Sequence, residues 1–363
     1  MKEGAGLVIA MAGGGTGGHV VPALAVANEL ASRGQSVFFV GTRGGFEAKL
    51  VPEAGFTIEW IEAGALNRAG IGRALRTLVQ LPGSVLHCIR LLGRRRVSAV
   101  FSMGGYVAAP TMLAALLVRI PVIVMEPNAI PGEANRWIGR FVARALLSFE
   151  DAARFFPKGR SEITGLPVRA RFFDLPARPR GEEFHVLVTG GSRGARSLNR
   201  AVGGSWPILA QSGRRISLTH QTGVESQASI AEEFAGTGLP GKVVAFLDDM
   251  PAAFADADLV VCRSGAGALA ELAAAGKPSI LVPFPFAADD HQRHNAEALA
   301  RAGAARVVLD RELSGERLAG EILALENDRD ELARMGERAC SFSRPGAAQR
   351  AADLLEQFAR RRG

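Results

Sequence analysis

The sequence predicts an α/β protein of two domains, each built on a doubly wound parallel β-sheet. Strand-like apolar runs alternate with helical patterns in two successive series, which is typical of βαβ units. At 363 residues the chain exceeds the size at which one hydrophobic core usually stops growing. Each half opens with a strand, a glycine-rich turn and a helix. We therefore expect two sheets and a ligand-binding cleft between the two halves.

The predicted strands divide into two groups separated by a segment without periodicity. Prolines and arginines interrupt the pattern between residues 156 and 183, so we place the interdomain linker there. The predicted domains are 1–165 and 166–345, and a helical segment at 347–361 could pack on either. The predicted strands are 7–11, 37–40, 99–102, 122–125 and 145–148 in the first domain, and 184–189, 216–220, 243–247, 259–262, 279–282 and 306–309 in the second.

The composition indicates a cytoplasmic protein. Three widely spaced cysteines favour neither a disulfide framework nor a metal site. The N-terminus lacks the regions of a signal peptide and reads as a first strand. No run reaches the roughly 18 consecutive apolar residues that a membrane span needs, so any membrane contact is expected to be peripheral.

The positive charge is concentrated in one segment. The net charge is +7, and residues 66–96 contain seven arginines and no acidic residue. Apolar residues recur there at helical spacing, which predicts a helix lying on anionic lipid. The alternative is a core helix with a solvated cationic face, and nucleic acid is not expected because the segment lacks interleaved aromatic residues. The predicted membrane residues are Ile71, Arg73, Leu75, Arg76, Leu78, Val79, Arg94 and Arg95.

The first glycine-rich turn is compatible with more than one ligand. Gly13, Gly15 and Gly18 match the GxGxxG dinucleotide fingerprint. An NAD site also requires an acidic residue at the end of the second strand, where this chain has Arg43. An arginine suits a 2′-phosphate, so an NADP-type oxidoreductase remains an alternative, as does a purely structural turn.

His19 begins the helix after this turn and is the candidate general base. The positive end of the helix dipole favours a neutral imidazole that can accept a proton. The structural alternative is a histidine bonded to nearby backbone.

In the second half, polar residues follow successive strands at the edge where open α/β sheets bind ligands. Glu271 lies one or two turns into a helix that follows a small-residue turn, where its carboxylate could accept both hydroxyls of a ribose. The alternative is a helix-dipole partner. His291 and His294 with Asp289 and Asp290 lack a third motif, so we expect no obligatory metal or other cofactor.

Five ordered motifs together are similar to the MurG family of glycosyltransferase family 28. They are Gly-Gly-Gly-Thr-Gly-Gly-His at 13–19, Gly-Gly-Tyr at 104–106, Glu-Pro-Asn at 126–128, Gly-Gly-Ser-Arg-Gly-Ala-Arg at 190–196 and Arg-Ser-Gly-Ala at 263–266. The resemblance implies the GT-B fold, in which two Rossmann-like domains face a cleft and the C-terminal helix 347–361 packs back on the first. It also implies inverting transfer of N-acetylglucosamine (GlcNAc) from UDP-GlcNAc to the muramyl sugar of an undecaprenyl-diphosphate-linked peptide. A sugar-nucleotide-binding protein without catalysis is a further alternative.

The resemblance implies a role for specific residues. Acceptor contacts are implied for Gly14, Gly18, Gly104, Gly105, Tyr106 and Asn135. Donor contacts are implied for Gly15, Thr16, Gly17, Asn128, Arg169, Ser192, Leu247, Ala266, Gly267, Ala268, Leu269, Glu271 and Gln292, with His291 as an alternative to Gln292. His19 would act as the base or bind the acceptor phosphate. The family also implies peripheral binding to the cytoplasmic face of the cell membrane, anionic lipid, and other proteins of cell-wall synthesis and division as partners.

Overall fold

A computed structural model describes residues 6–15, 17–62, 71–176, 178, 181, 183–191 and 194–361. The chain divides into two compact units. Unit 1 is Met1–Pro167 with Arg344–Gly363, and unit 2 is Val168–Ser343. Each contains a doubly wound parallel sheet, so the predicted fold class is confirmed.

In the described part of unit 1, seven parallel strands follow the order β3-β2-β1-β4-β5-β6-β7. The order reverses direction between β1 and β4, which places the carboxyl ends of these two strands beside a crevice. The central strands are buried on both faces, as the continuous apolar runs predict. The strands are β1 Val8–Gly13, β2 Ser36–Gly41, β3 Thr57–Trp60, β4 Ala99–Gly104, β5 Val122–Glu126, β6 Arg144–Leu147 and β7 Ser161–Ile163.

Helices cover the faces of this sheet, and α13 packs against α1 and β4. An ion pair between Arg33 and Asp353, 2.6 Å from Nη1 to Oδ1, links α1 to α13. The helices are α1 Gly17–Ser32, α2 Glu47–Glu53, α3 Ile71–Arg94, α4 Ala109–Leu117, α5 Glu133–Ile138 and, from the end of the chain, α13 Ala347–Arg360.

Unit 2 repeats the architecture with six described parallel strands in the order β10-β9-β8-β11-β12-β13. Its strands are β8 Phe184–Thr189, β9 Ile216–Gln221, β10 Gly241–Val244, β11 Leu259–Cys262, β12 Ser279–Leu281 and β13 Ala305–Val307. Its helices are α6 Arg196–Gln211, α7 Gln227–Ala235, α8 Met250–Asp256, α9 Ala266–Ala275, α10 His291–Arg301, α11 Gly315–Asn327 and α12 Arg329–Cys340.

The described residues of the segment expected to be a linker include secondary structure. The segment contains β7 and a 3₁₀ helix, Ala170–Phe172, in which the Phe172 ring is buried against Phe254 of unit 2. Two strands, β3 and β7, were not predicted. Both are short edge strands with polar or half-buried residues, so neither has the apolar run of a central strand.

Within the basic segment, Ile71–Arg94 form helix α3, but only part of its predicted membrane face is described. The side chains of Ile71, Arg73, Leu75, Arg76, Leu78 and Val79 lie outside the described residues. Farther along, Cys88 and Leu92 are buried in the core of unit 1, so one face of this half of the helix packs against the sheet domain, and the membrane contact of the helix stays a prediction. Arg94 and Arg95 are both exposed, and Arg95 also pairs with Glu59 and lies over the Phe38 ring. Among the described residues, no helix combines the length and apolar character needed to cross a membrane.

Candidate functional site

Unit 2 contains a pocket of about 710 Å³ at the carboxyl ends of β8 and β11. Its walls come from the glycine turn at 189–197, the turn and helix start at 262–271, and residues 284–286 after β12. Met250 and Phe254 of α8 add apolar surface. Burial raises the pKa of the Cys262 thiol in this wall to about 12, so the thiol stays neutral.

The second glycine turn is held by neutral groups. The amide of Gln221 donates to the Gly191 carbonyl at 2.9 Å, and the Gly191 N–H donates to the Thr189 hydroxyl at 3.3 Å. Gly194 has φ +71°, and a Cβ there would overlap the Thr222 carbonyl. The backbone therefore passes where only glycine fits. Ser192, predicted to contact the donor, lies outside the described residues.

Arg263 holds several parts of the pocket together. Its Nη1 donates to Asp310 Oδ1 at 2.7 Å and to the Pro283 carbonyl at 3.1 Å. Its Nη2 donates to Ser197 Oγ at 2.7 Å, and the Ser197 hydroxyl donates to the same Asp310 oxygen at 2.7 Å. One mostly buried guanidinium thus fixes α6, the turn after β11 and the loop after β12.

Glu271 and Arg169 face each other at the pocket. Arg169 Nη2 is 3.5 Å from Glu271 Oε1, and the guanidinium lies 5.1 Å from the Phe172 ring centroid. Burial raises the pKa of Glu271 and Arg169 opposes that shift. The two predicted donor residues are therefore together, and the predicted carboxylate lines the pocket.

The remaining residues predicted to contact the donor differ in their position relative to the pocket. Gln292 lines the pocket, and its Oε1 accepts from the Phe284 N–H at 3.0 Å. His291 is half-buried, and its Nδ1 is 2.7 Å from the Ala288 carbonyl. Ala268 lines the pocket, and Ala266 and Gly267 begin α9 beside it. Leu269 has its side chain in the core and its N–H bonded to the Gly265 carbonyl, and its contact with the donor stays a prediction. Leu247 is half-buried after β10.

The first glycine turn of unit 1 is held by a carboxylate. Glu47, the first residue of α2, is fully buried, and its Oε2 accepts from the Gly15 N–H at 2.8 Å. Its Oε1 accepts from the Thr42 N–H at 3.0 Å and from the Thr42 hydroxyl at 2.9 Å. One loop N–H expected to meet a ligand is therefore already bonded. Thr16 lies outside the described residues, while Gly17 and Gly18 begin α1.

The predicted acceptor residues lie against this turn. His19 Nδ1 is 3.3 Å from the Gly14 carbonyl. A Cβ on Gly105 would lie 3.5 Å from the same nitrogen, and one on Gly15 would lie 3.6 Å from the Tyr106 ring. Tyr106 is half-exposed, so an aromatic ring and an imidazole flank the turn.

A second buried carboxylate lies at the end of β5. Glu126 accepts from the N–H of Asn128 at 3.0 Å and of Gly132 at 3.2 Å, and from the amides of Asn128 at 3.2 Å and Asn135 at 2.8 Å. Burial raises its pKa to about 7, against the effect of these donors. Asn135 is itself buried beneath Gly104, so its role here is to hold Glu126, and an acceptor contact remains a prediction.

Three residues of the site were missed by sequence reasoning. Arg263 and Glu126 stand inside motifs that were noticed, and each follows a strand, which is the signal that could have found them. Glu47 is a first-turn helix residue, and only its burial distinguishes it from an ordinary dipole partner. Within the described residues, no group of three or more His, Cys, Asp and Glu side chains is placed to hold a metal ion.

Comparison with known proteins identifies the family. The glycosyltransferase family 28 N-terminal domain matches residues 9–147 and the family 28 C-terminal domain matches residues 185–358. A UDP-N-acetylglucosamine--N-acetylmuramyl-(pentapeptide) pyrophosphoryl-undecaprenol N-acetylglucosamine transferase of Solibacter usitatus is 59% identical over 96% of both chains. The transferase of the same name from Anaeromyxobacter sp. (strain K) is 45% identical over 97% of this chain and 93% of its own.

Among solved structures, Acinetobacter baumannii MurG is 31% identical, with a TM-score of 0.81 over 97% of this chain and 99% of its own. The fold, the ordered motifs and both domain matches agree, and the chain belongs to glycosyltransferase family 28.

Proposed function

We propose that this chain transfers GlcNAc from UDP-GlcNAc to the muramyl sugar of an undecaprenyl-diphosphate-linked MurNAc-pentapeptide, with inversion at the anomeric carbon. This is the reaction for which its curated relatives are named. The observation that carries the proposal is the pocket of unit 2, where a carboxylate, a guanidinium and a glycine turn surround one space of nucleotide size.

The donor lies in this pocket with its ribose on Glu271. A carboxylate can accept hydrogen bonds from both ribose hydroxyls. Arg169 pairs with Glu271 in the structure, and when the donor binds it either turns to the diphosphate or interacts with both groups. The diphosphate lies near the starts of α6 and α9, neither of which has a side-chain cap in the structure. Their N–H groups and dipoles favour an anion.

Departure of UDP is the step at which negative charge develops. Groups fixed before the reaction stabilise that charge without reorganising, which is the most effective form of electrostatic catalysis. The Arg263 network supplies the rigidity, because it ties three segments of the pocket to one side chain. Arg169 and the two helix starts provide the positive potential, so we propose that no divalent cation is obligatory.

The acceptor hydroxyl requires a base on the side of unit 1. His19 is the candidate, since its ring lies beside the glycine turn and the half-exposed Tyr106. A positioned base contributes about 10²–10⁴-fold to such a reaction. One direct displacement on an α-linked donor gives a β-linked product.

Unit 1 also carries an apolar and basic surface suited to the cytoplasmic face of the membrane. Leu117, Trp137 and Phe141 are 68%, 70% and 63% exposed. Arg140 lies 5.8 Å from the Trp137 ring, and Arg119 lines the same pocket as Phe141. Exposed apolar side chains among arginines favour anionic lipid, and we propose peripheral binding there together with the start of α3.

The test is UDP release from UDP-GlcNAc with and without the lipid-linked muramyl peptide, with mass analysis of the lipid product. We expect acceptor-dependent release and a product heavier by one GlcNAc. Glu271→Gln should raise the KM for UDP-GlcNAc about tenfold or more, because hydrogen bonds to a charged group contribute about 1.5–3 kcal/mol. Donor binding without acceptor-dependent release would favour a binding protein, and NADPH binding without UDP binding would favour the oxidoreductase.

A further inference from the structure

A buried carboxylate supports the first glycine turn from below. Glu47 has no exposed surface, and in the described part of the chain it accepts three hydrogen bonds, from two backbone N–H groups and one hydroxyl. A buried charged side chain is costly unless such donors satisfy it, and a residue serving only to fill space would be apolar.

The backbone approaches the Glu47 side chain closely at three glycines. A Cβ on Gly14, Gly41 or Gly45 would overlap atoms of the Glu47 side chain. These glycines belong to three separate places: the first turn, the end of β2 and the loop before α2. The carboxylate therefore joins three segments that approach it closely.

The turn held by Glu47 is the one that supports the proposed acceptor residues. Gly15, whose N–H is bonded to Glu47, lies against the Tyr106 ring. The carbonyl of the preceding Gly14 is 3.3 Å from His19 Nδ1. A shift of the turn at Gly14 and Gly15 would consequently move both an aromatic wall and the candidate base.

We propose that Glu47 is a positioning residue for the transferase reaction: it fixes the Gly14–Gly15 peptide and, through it, His19 and Tyr106. The proposal rests on the proposed function for its effect on turnover. The Gly15 N–H is occupied by Glu47 and is not a donor to substrate. The negative charge beneath the turn also disfavours a phosphate at that peptide, so this part of the turn meets uncharged, hydroxyl-bearing sugar.

The test compares Glu47→Gln with Glu53→Gln, an exposed residue of the same helix. The glutamine keeps the shape but cannot accept all three hydrogen bonds, because one of its ends is a donor. We expect hydrogen–deuterium exchange in the peptide 12–18 to accelerate about tenfold or more in Glu47→Gln. In the same variant kcat should fall about tenfold, and the affinity for UDP should stay within about twofold. Glu53→Gln should match the wild type throughout.

Thr42→Val provides a second, milder variant, since it removes one of the three hydrogen bonds and leaves the carboxylate in place. Its exchange rate and kcat should lie between those of wild type and Glu47→Gln. Unchanged exchange at 12–18 in Glu47→Gln would overturn the proposal, as would faster exchange with unchanged kcat. If the wild type itself transfers no GlcNAc, the proposed function fails, while the exchange rates still decide whether Glu47 fixes the turn.

Discussion

The two units begin with the same strand, glycine turn and helix, but they stabilise the turn in opposite ways. In unit 1 the Gly15 N–H is bonded to the buried carboxylate of Glu47. In unit 2 the corresponding turn is held by the neutral Gln221 and Thr189, and a guanidinium, Arg263, lies in the adjoining wall. The local electrostatics of two similar sequence motifs are therefore different.

The glycine-rich motif therefore determines the shape of the turn, but it does not by itself determine which ligand the turn binds. A turn whose N–H groups are open to the surface can bind phosphate. A turn whose N–H is already bonded to a carboxylate positions side chains instead. On this account unit 2 binds the UDP end of the donor, and the turn of unit 1 arranges His19 and Tyr106.

The largest expected effect is a loss of kcat without a loss of UDP affinity, which distinguishes the role of unit 1 from that of unit 2. His19→Ala should lower kcat about 10²–10⁴-fold, the usual contribution of a general base, while UDP affinity stays unchanged. Steady-state UDP release and calorimetry with UDP measure the two quantities. The exposed His87→Ala is the matched control and should leave both unchanged. A kcat for His19→Ala equal to that of the wild type would remove His19 from the chemistry.

Arg263→Ala should instead lower the stability of unit 2 and its affinity for UDP. Removing one partner of a mostly buried pair leaves Asp310 uncompensated, so we expect a loss of about 3–5 kcal/mol in the free energy of unfolding. UDP affinity should fall in parallel, because three walls of the pocket lose their common partner. Chemical denaturation and calorimetry measure these effects. The control is Arg311→Ala, which removes an exposed ion pair with Glu312. Its free energy of unfolding should fall by less than about 1 kcal/mol. Equal losses in the two variants would contradict the assigned network.

Glu126 of unit 1 should also give a pH dependence of stability. The pKa of Glu126 is raised from 4.5 to about 7, so the folded state keeps a proton that the unfolded state releases. Stability should therefore fall as the pH rises from about 4.5 to about 7 and then level off, by about 3 kcal/mol at most. Denaturation at several pH values should show this slope in the wild type and a shallower one in Glu126→Gln. Equal slopes would mean that other groups cause it.

The smallest effect concerns the surface of unit 1. Replacing Trp137 and Phe141 by alanine should weaken binding to anionic vesicles about tenfold, because exposed apolar rings each contribute about 1 kcal/mol or more when buried in lipid. Vesicle co-sedimentation measures this, with the exposed Val224→Ala of unit 2 as the control. Binding unchanged by the double substitution would exclude this surface.

Much of the fold could be predicted because central parallel strands are buried on both faces and leave long apolar runs, as at β1 and β8. Edge strands such as β3 do not, and they were missed. Glu271 could be placed at the ligand-binding edge because its helix follows the apolar run of β11, whereas Arg169 was implied only by the family resemblance. Glu47 could not be found, since its partner Gly15 is 32 residues away and the contact exists only in the folded chain.

The most direct test of the contrast between the two turns is hydrogen–deuterium exchange of the intact chain with UDP alone. We predict slower exchange in peptides covering residues 189–197 and 263–271 and no change in the peptide 12–19. Slower exchange at 12–19, with none at 189–197, would show that the turn of unit 1 binds the nucleotide and would contradict the account.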